Sequence, residues 1–149
     1  MKGYMLDTNV FNHLIEGSIQ LTNLPKDNPI FVTHLQFNEI SNCPITEKRE
    51  LMLELIKELP DDMIPTNTAI CGISAAGHCR IGNGKIYSEI LAKLDTIKTR
   101  KNNSNAIDSL IGETSIIENL TLISNDQSLI QIVSELGGTI LDLRSGVLS

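Results

Sequence analysis

Two aspartates stand at equivalent places in the sequence, and two further acids decide what chemistry they could do. Asp7 follows the apolar pair Met5-Leu6 and precedes Thr8 and Asn9. Asp126 ends the run TLISND, Thr121 to Asp126, and precedes an amphipathic stretch. Each carboxylate therefore falls where a strand turns into a helix. In an open parallel sheet those turns gather along one edge, where ligands bind. Asp108 lies in NAIDSLIGE, beside an apolar stripe of Ile107, Leu110, Ile111 and Ile117, with Asn105, Ser109 and Gly112 on the same flank. Glu39, in THLQFNEI, falls near the boundary of a helix face that buries Leu35 and Ile40.

Singly, each acid has a structural reading. Asp7 and Asp126 suit helix N-caps or first turns, worth about 1 kcal/mol each. Asn105 with Asp108 resembles a capping box in all but residue type, and Glu39 could be a solvated helix acid. As a set they read differently. Carboxylates brought together without cations repel and raise one another's pKa, so a cluster implies bound metal or a shared proton. Hard oxygen donors without His or Cys suit Mg2+ or Mn2+, and such ions assist in-line displacement at phosphorus. The chemistry that follows is phosphodiester hydrolysis.

The elements that must hold these residues alternate strand-like and helix-like runs, which predicts an α/β fold with a mainly parallel sheet. Strands are expected at Gly3–Leu6, Ile30–Val32, Leu120–Ser124 and Thr139–Leu143, with a further short one at Met63-Ile64. Helices are expected at Thr8–Glu16, from Thr33 as cap to about Asn42, from Thr46 as cap to Leu59, at Thr66–Cys79, at Ile86–Ile97, at Ser104–Asn119 and at Gln127–Leu136. In the third of these, Leu51, Met52, Leu55, Ile56 and Leu59 recur at helical spacing. No repeat or linker divides the 149 residues, so residues 1–149 are read as one domain.

Composition narrows the function classes. The formal charge of −6 argues against wholesale neutralisation of phosphates, and 3% aromatics with no Trp supply no base-stacking platform. RIGNGK, Arg80 to Lys85, lacks the strand–GxxxxGK[ST]–helix layout of a phosphate loop. Cys43, Cys71 and Cys79 are odd in number and contain no CxxC pair, so no disulfide framework is expected. Cys71, His78 and Cys79 have no evident fourth partner for a zinc site. MKGYMLDTNV has no apolar signal core and no later run is long enough to span a bilayer, which predicts a cytoplasmic protein.

Taken in order, LDTNV, the Glu closing FVTHLQFNE, NAIDSLIGETSI and LISNDQSL resemble the PIN-domain ribonucleases, and most nearly the compact toxins of the VapC type. The resemblance runs from Tyr4 to about Leu143. It implies a PIN-like fold, a mainly parallel sheet of four to five strands flanked by helices. It also implies an acidic pocket of Asp7, Glu39, Asp108 and Asp126 binding one or two Mg2+ or Mn2+ ions. Thr8 and Ser124 would be pocket hydroxyls, and Asn105 would orient its neighbours. The implied activity is RNA cleavage leaving a 5′-phosphate, in a homodimer restrained by a cognate antitoxin.

Glu113 departs from the small apolar residues usual in that family; it is read as a surface residue, with a further pocket acid as the alternative. Given the acidic charge, Lys98, Arg100 and Lys101 in the link KTRKNN are the candidates for gripping RNA, with a solvated linker as the other reading. Two other functions are weighed. One is a catalytically silent PIN-like module that binds RNA or a partner protein, against which the retention of all four acids argues. The other is a phosphatase or phosphotransferase with an Asp nucleophile, which usually wants DxD, whereas Asn9 holds the second position.

Overall fold

The computed structural model describes residues 3–17, 24–25, 27–58, 63–66, 84–98 and 104–143. In chain order the elements are β1 (Tyr4–Leu6), α1 (Thr8–Glu16), β2 (Ile30–Phe31), α2 (His34–Ser41), α3 (Thr46–Glu58), α4 (Lys85–Ile97), α5 (Ser104–Ile117), β3 (Thr121–Ser124), α6 (Gln127–Glu135) and β4 (Thr139–Asp142). Among the described residues the strands form one four-stranded sheet in the order β2-β1-β3-β4, with every pairing parallel.

Side-chain alternation on the strands explains the layers. Met5 pairs in register with Leu122, and Leu122 with Ile140; one residue on, Leu6 pairs with Ile123, and Ile123 with Leu141. Successive residues point to opposite faces. Met5 and Leu122 accordingly pack with Ile90 and Leu94 of α4, Leu110 and Ile111 of α5, and Leu129 and Val133 of α6. Leu6, Ile123 and Leu141 pack with Val10 and Phe11 of α1, Ile40 of α2 and Met52 of α3. A sheet covered on both faces needs apolar residues at consecutive positions, which is why YML and TLIS read as short continuous runs. Each fully buried Leu or Ile here contributes about 1.5–3 kcal/mol.

Gly112 and Gly137 each meet a local geometric demand. A Cβ on Gly112 would stand 3.1 Å from Val133 Cγ2 and 3.2 Å from Ile90 Cδ1, so α5 lies tight between α4 and α6. Gly137 has φ +90, the left-handed turn that closes α6.

Three sequence expectations change. Thr46 is the first residue of α3 rather than its cap: the Arg49 N–H bonds the Ile45 carbonyl at 2.9 Å, and the Arg49 guanidinium bonds the Cys43 carbonyl at 3.0 Å. On that helix Met52 is buried while Leu51 is 49% exposed, so the buried stripe is narrower than the apolar spacing implied. Met63-Ile64 forms no strand, although the Ile64 N–H donates to the Val32 carbonyl at 3.0 Å beside the sheet edge. The helix expected at 66–79, the Gly-rich turn up to Asn83, Leu59, Cys71, His78 and Cys79 fall outside the described residues, Thr66 excepted. Cys43 is a half-buried free thiol. Among the described residues no helix is long and apolar enough to cross a membrane.

Candidate active site

The chain runs from β1 outward to β2 on one side, then returns past β1 to β3 and on to β4 on the other. The sheet therefore reverses its direction of growth between β1 and β3, the place where open α/β sheets leave a crevice at the strands' carboxyl ends. Asp7 directly follows β1 and Asp126 lies two residues beyond β3, so both flank that point. A cleft of about 170 Å³ opens there, lined by Asp7, Thr8, Asn9, Asn12, Glu39, Ser104, Asp108 and Asp126. The four acids singled out in the sequence thus line one cleft.

Asp7 is both cap and wall. It is the N-cap of α1, buried at 3% exposure, with Oδ1 accepting the Thr8 N–H at 2.8 Å and Oδ2 accepting the Ser124 hydroxyl at 2.8 Å. Burial pushes its carboxyl above the ordinary value of 3.8, and the charge of Asp126 adds to the rise. The Ser124 hydroxyl, the Thr8 N–H and the Lys98 ammonium pull the other way.

Asp126 caps α6 through Oδ1, which accepts the N–H groups of Ser128 and Leu129 at 3.1 and 3.4 Å. Its Oδ2 receives the Lys98 ammonium at 2.6 Å. Ser124 joins the two aspartates, since its Oγ donates to Asp7 and accepts the Asp126 N–H at 3.0 Å.

Glu39 reaches the cleft from an exposed face of α2, where its Oε1 accepts the Thr8 hydroxyl at 3.1 Å. Asp108 enters on the first turns of α5 together with Ser104. Its expected flank partners do something else: the buried Ser109 hydroxyl bonds the Asn105 carbonyl at 2.7 Å, and Gly112 packs into the core. The N-termini of α1, α5 and α6 all meet this cleft. Their aligned peptide dipoles favour negative charge and offset part of the repulsion among the acids.

Sequence reasoning missed one positioning residue. Gln36 is wholly buried on α2, its Oε1 accepting the Thr33 N–H at 2.9 Å to complete a capping box with Thr33. Its Nε2 donates to the Leu6 carbonyl at 2.8 Å, one residue before Asp7. The same side chain therefore starts the helix that carries Glu39 and holds the end of the strand that carries Asp7. The signal was present as T-x-x-Q, Thr33 to Gln36.

Glu113 is corrected outright. It is 1% exposed rather than at the surface, and it is absent from the cleft wall. Its Oε2 accepts the Tyr87 N–H at 3.1 Å. Tyr87 is in the first turn of α4, whose N-cap Gly84 offers no side chain, so Glu113 caps that helix from a neighbouring one. Asn105 anchors the chain between α4 and α5, its Nδ2 donating to Asp95 Oδ1 and to the Lys98 carbonyl, each at 2.9 Å. Asn125 Nδ2 contacts His13 Nε2. Of the three expected RNA-gripping cations, Lys98 is drawn into the acidic site; Arg100 and Lys101 lie outside the described residues.

As they stand, no three of the described His, Cys, Asp and Glu side chains converge into a ready ligand shell. The oxygens available to a cation are those of the four acids, with the Thr8 hydroxyl and the Asn9 amide oxygen beside them, while the fully buried Ser124 hydroxyl stands off the cleft wall and braces Asp7 and Asp126. Asn9 Oδ1 is buried without a hydrogen-bond partner.

Compared with known proteins, the sequence matches no protein-family model and no curated protein. Its structure does match solved ones. A chain in the structure of VapBC2 from Rickettsia felis, bound to a DNA fragment from their promoter, superposes with a TM-score of 0.56 over 95% of this chain and 98% of that one, at 20% identity. The fold is PIN-like. A chain in the structure of VapBC-1 from nontypeable Haemophilus influenzae agrees, with a TM-score of 0.56 at 18% identity, covering 97% of this chain and 99% of that one. The α/β class and parallel sheet expected from the sequence are those of this PIN-like fold, with four strands among the described residues.

Proposed function

We propose that the chain is a metal-dependent endoribonuclease, hydrolysing RNA phosphodiester bonds as the toxin of a toxin–antitoxin pair. The observation that carries this reading is the gathering of Asp7, Glu39, Asp108 and Asp126 from four separate segments around one cleft at the sheet's switch point. The sequence motifs that resemble VapC-type toxins, and the likeness in fold to chains of two VapBC structures, support it.

The donor set fits Mg2+ or Mn2+. It is built of carboxylates with neutral oxygens at its margin, and Asn9 contributes a buried oxygen lacking a partner. A divalent ion bound there supplies the positive charge that an attacked phosphodiester requires. The chain's own residues do the rest. Asp7 and Asp126 face the cleft from fixed helix caps, and Ser124 holds the Asp7 carboxylate in one orientation. Glu39, kept in place by Thr8, and Asp108 complete the acidic wall from the other two segments. In this reading the protein acts as a homodimer restrained by an antitoxin, and it is cytoplasmic.

The test is cleavage of total RNA by the purified chain in Mg2+ or Mn2+, with and without EDTA. Metal-dependent products bearing 5′-phosphates support the reading. Intact RNA in both metals removes it in favour of a catalytically silent RNA- or protein-binding module, a reading that the ammonium of Lys98 on Asp126 favours.

A further inference from the structure

We infer that Lys98 is the cleft's own displaceable counter-cation, holding Asp126 Oδ2 in the metal-free protein and leaving that oxygen when a divalent ion binds, so that Lys98 sets the metal affinity of the site. The inference rests on the metal-binding reading above and goes beyond it, since Lys98 belongs to neither the acids nor the hydroxyls of that reading.

The contact is built rather than incidental. Lys98 Nζ lies 2.6 Å from Asp126 Oδ2, with the two side chains 29% and 14% exposed. The cap of α6 uses the other oxygen of that carboxylate, so the ammonium meets the oxygen that the cap leaves over. Both backbone groups of Lys98 are fixed. Its N–H bonds the Leu94 carbonyl at 2.7 Å, and its carbonyl accepts the buried Asn105 amide at 2.9 Å. Asn105 lies one helical turn before Asp108, so the residue that anchors the lysine rides on the helix that supplies one of the acids.

Charge explains why such an arrangement persists. Four carboxylates share a small cleft, and a cation nearby lowers their mutual repulsion. An ammonium on a flexible four-carbon stem is a point charge without a preferred bidentate geometry, so it leaves a carboxylate more readily than a guanidinium would. A divalent ion and this ammonium cannot share Asp126 Oδ2 closely, because both are positive. Metal binding and the Lys98–Asp126 pair are therefore competing states of one site.

The experiment compares wild-type protein, Lys98→Met and Lys98→Arg by calorimetric titration with Mn2+, with thermal denaturation in EDTA alongside. Lys98→Met is expected to bind Mn2+ about tenfold more tightly than wild type, and Lys98→Arg no more tightly than wild type. In EDTA, Lys98→Met should melt lower than wild type, and that loss should vanish in an Asp126→Asn background, where the pair is already broken. Mn2+ affinity in Lys98→Met that is equal to or weaker than wild type overturns the inference and leaves the metal reading standing. Mn2+ binding to none of the proteins overturns both.

Discussion

Lys98 Nζ rests 2.6 Å from Asp126 Oδ2, so the acidic cleft carries a cation supplied by the chain itself. Asp126 divides its two oxygens between a helix and that cation, and Asp7 divides its own between α1 and Ser124. The same two carboxylates cap helices and line the cleft. The helix N-termini that the caps complete are also what make the cleft tolerant of negative charge.

Metal should therefore act on stability as well as on activity. A ligand that binds only the folded state adds about 2.7 kcal/mol at a free concentration one hundred times its dissociation constant. Thermal denaturation with and without saturating Mn2+ is expected to show a clear rise in Tm, lost on adding EDTA. The rise should be small in Asp7→Asn; an equal rise there would remove Asp7 from the ligands.

Asp7 has a stability cost with a definite pH dependence. Its folded pKa is raised by burial above the ordinary 3.8, so the fold favours the protonated carboxyl. The associated stability is complete below the unfolded pKa and is lost as pH rises through the folded one. Asn at this position stays neutral throughout and keeps an acceptor for the Thr8 N–H. Urea denaturation in EDTA should find Asp7→Asn gaining on wild type as pH rises from about 4, the ordinary carboxylate value, to neutrality. A constant gap across that range would show that burial of the charge is not what Asp7 costs.

Gln36 is expected to matter to both fold and site. Gln36→Leu removes the partner of the Leu6 carbonyl and the acceptor for the Thr33 N–H, both buried, at a cost of about 1–3 kcal/mol. Because those bonds fix the ends of the elements bearing Asp7 and Glu39, RNA cleavage should fall further than the folded fraction does. Cleavage that tracks the folded fraction alone would reduce Gln36 to a structural residue.

Glu113 gives a sharper contrast between two substitutions. Glu113→Ala strands the Tyr87 N–H at the start of α4 and is expected to cost about 2 kcal/mol. Glu113→Gln keeps an oxygen for that N–H and should stay within about 1 kcal/mol of wild type. Equal losses in the two variants would show that the carboxylate's charge, rather than its acceptor, is what α4 uses.

What the sequence revealed and what it hid follow from the range of the interactions. Asp7, Asp126 and the strands before them were readable because strand-to-helix turns leave a local pattern. The four acids lining one cleft followed from the parallel topology that alternating elements imply, and from the ordered motifs. Glu113 was misplaced because nothing adjacent to it reveals that Gly84 leaves the N-terminus of α4 without a side-chain cap. Lys98 was read with its neighbours Arg100 and Lys101, since a run of cations looks uniform until the fold turns one of them inward. Gln36 was hidden for the opposite reason: its capping motif is local, but its bond to Leu6 spans 30 residues.

The most direct test of the account is RNA cleavage by wild type and Asp7→Asn, both purified, both shown folded by their melting, and both assayed in Mg2+ and in Mn2+. Wild type should cut RNA in a metal-dependent manner and Asp7→Asn should leave it intact while remaining at least as stable at neutral pH. Cleavage by Asp7→Asn at the wild-type rate would show that the acids at the β1–β3 switch point are not the catalytic site.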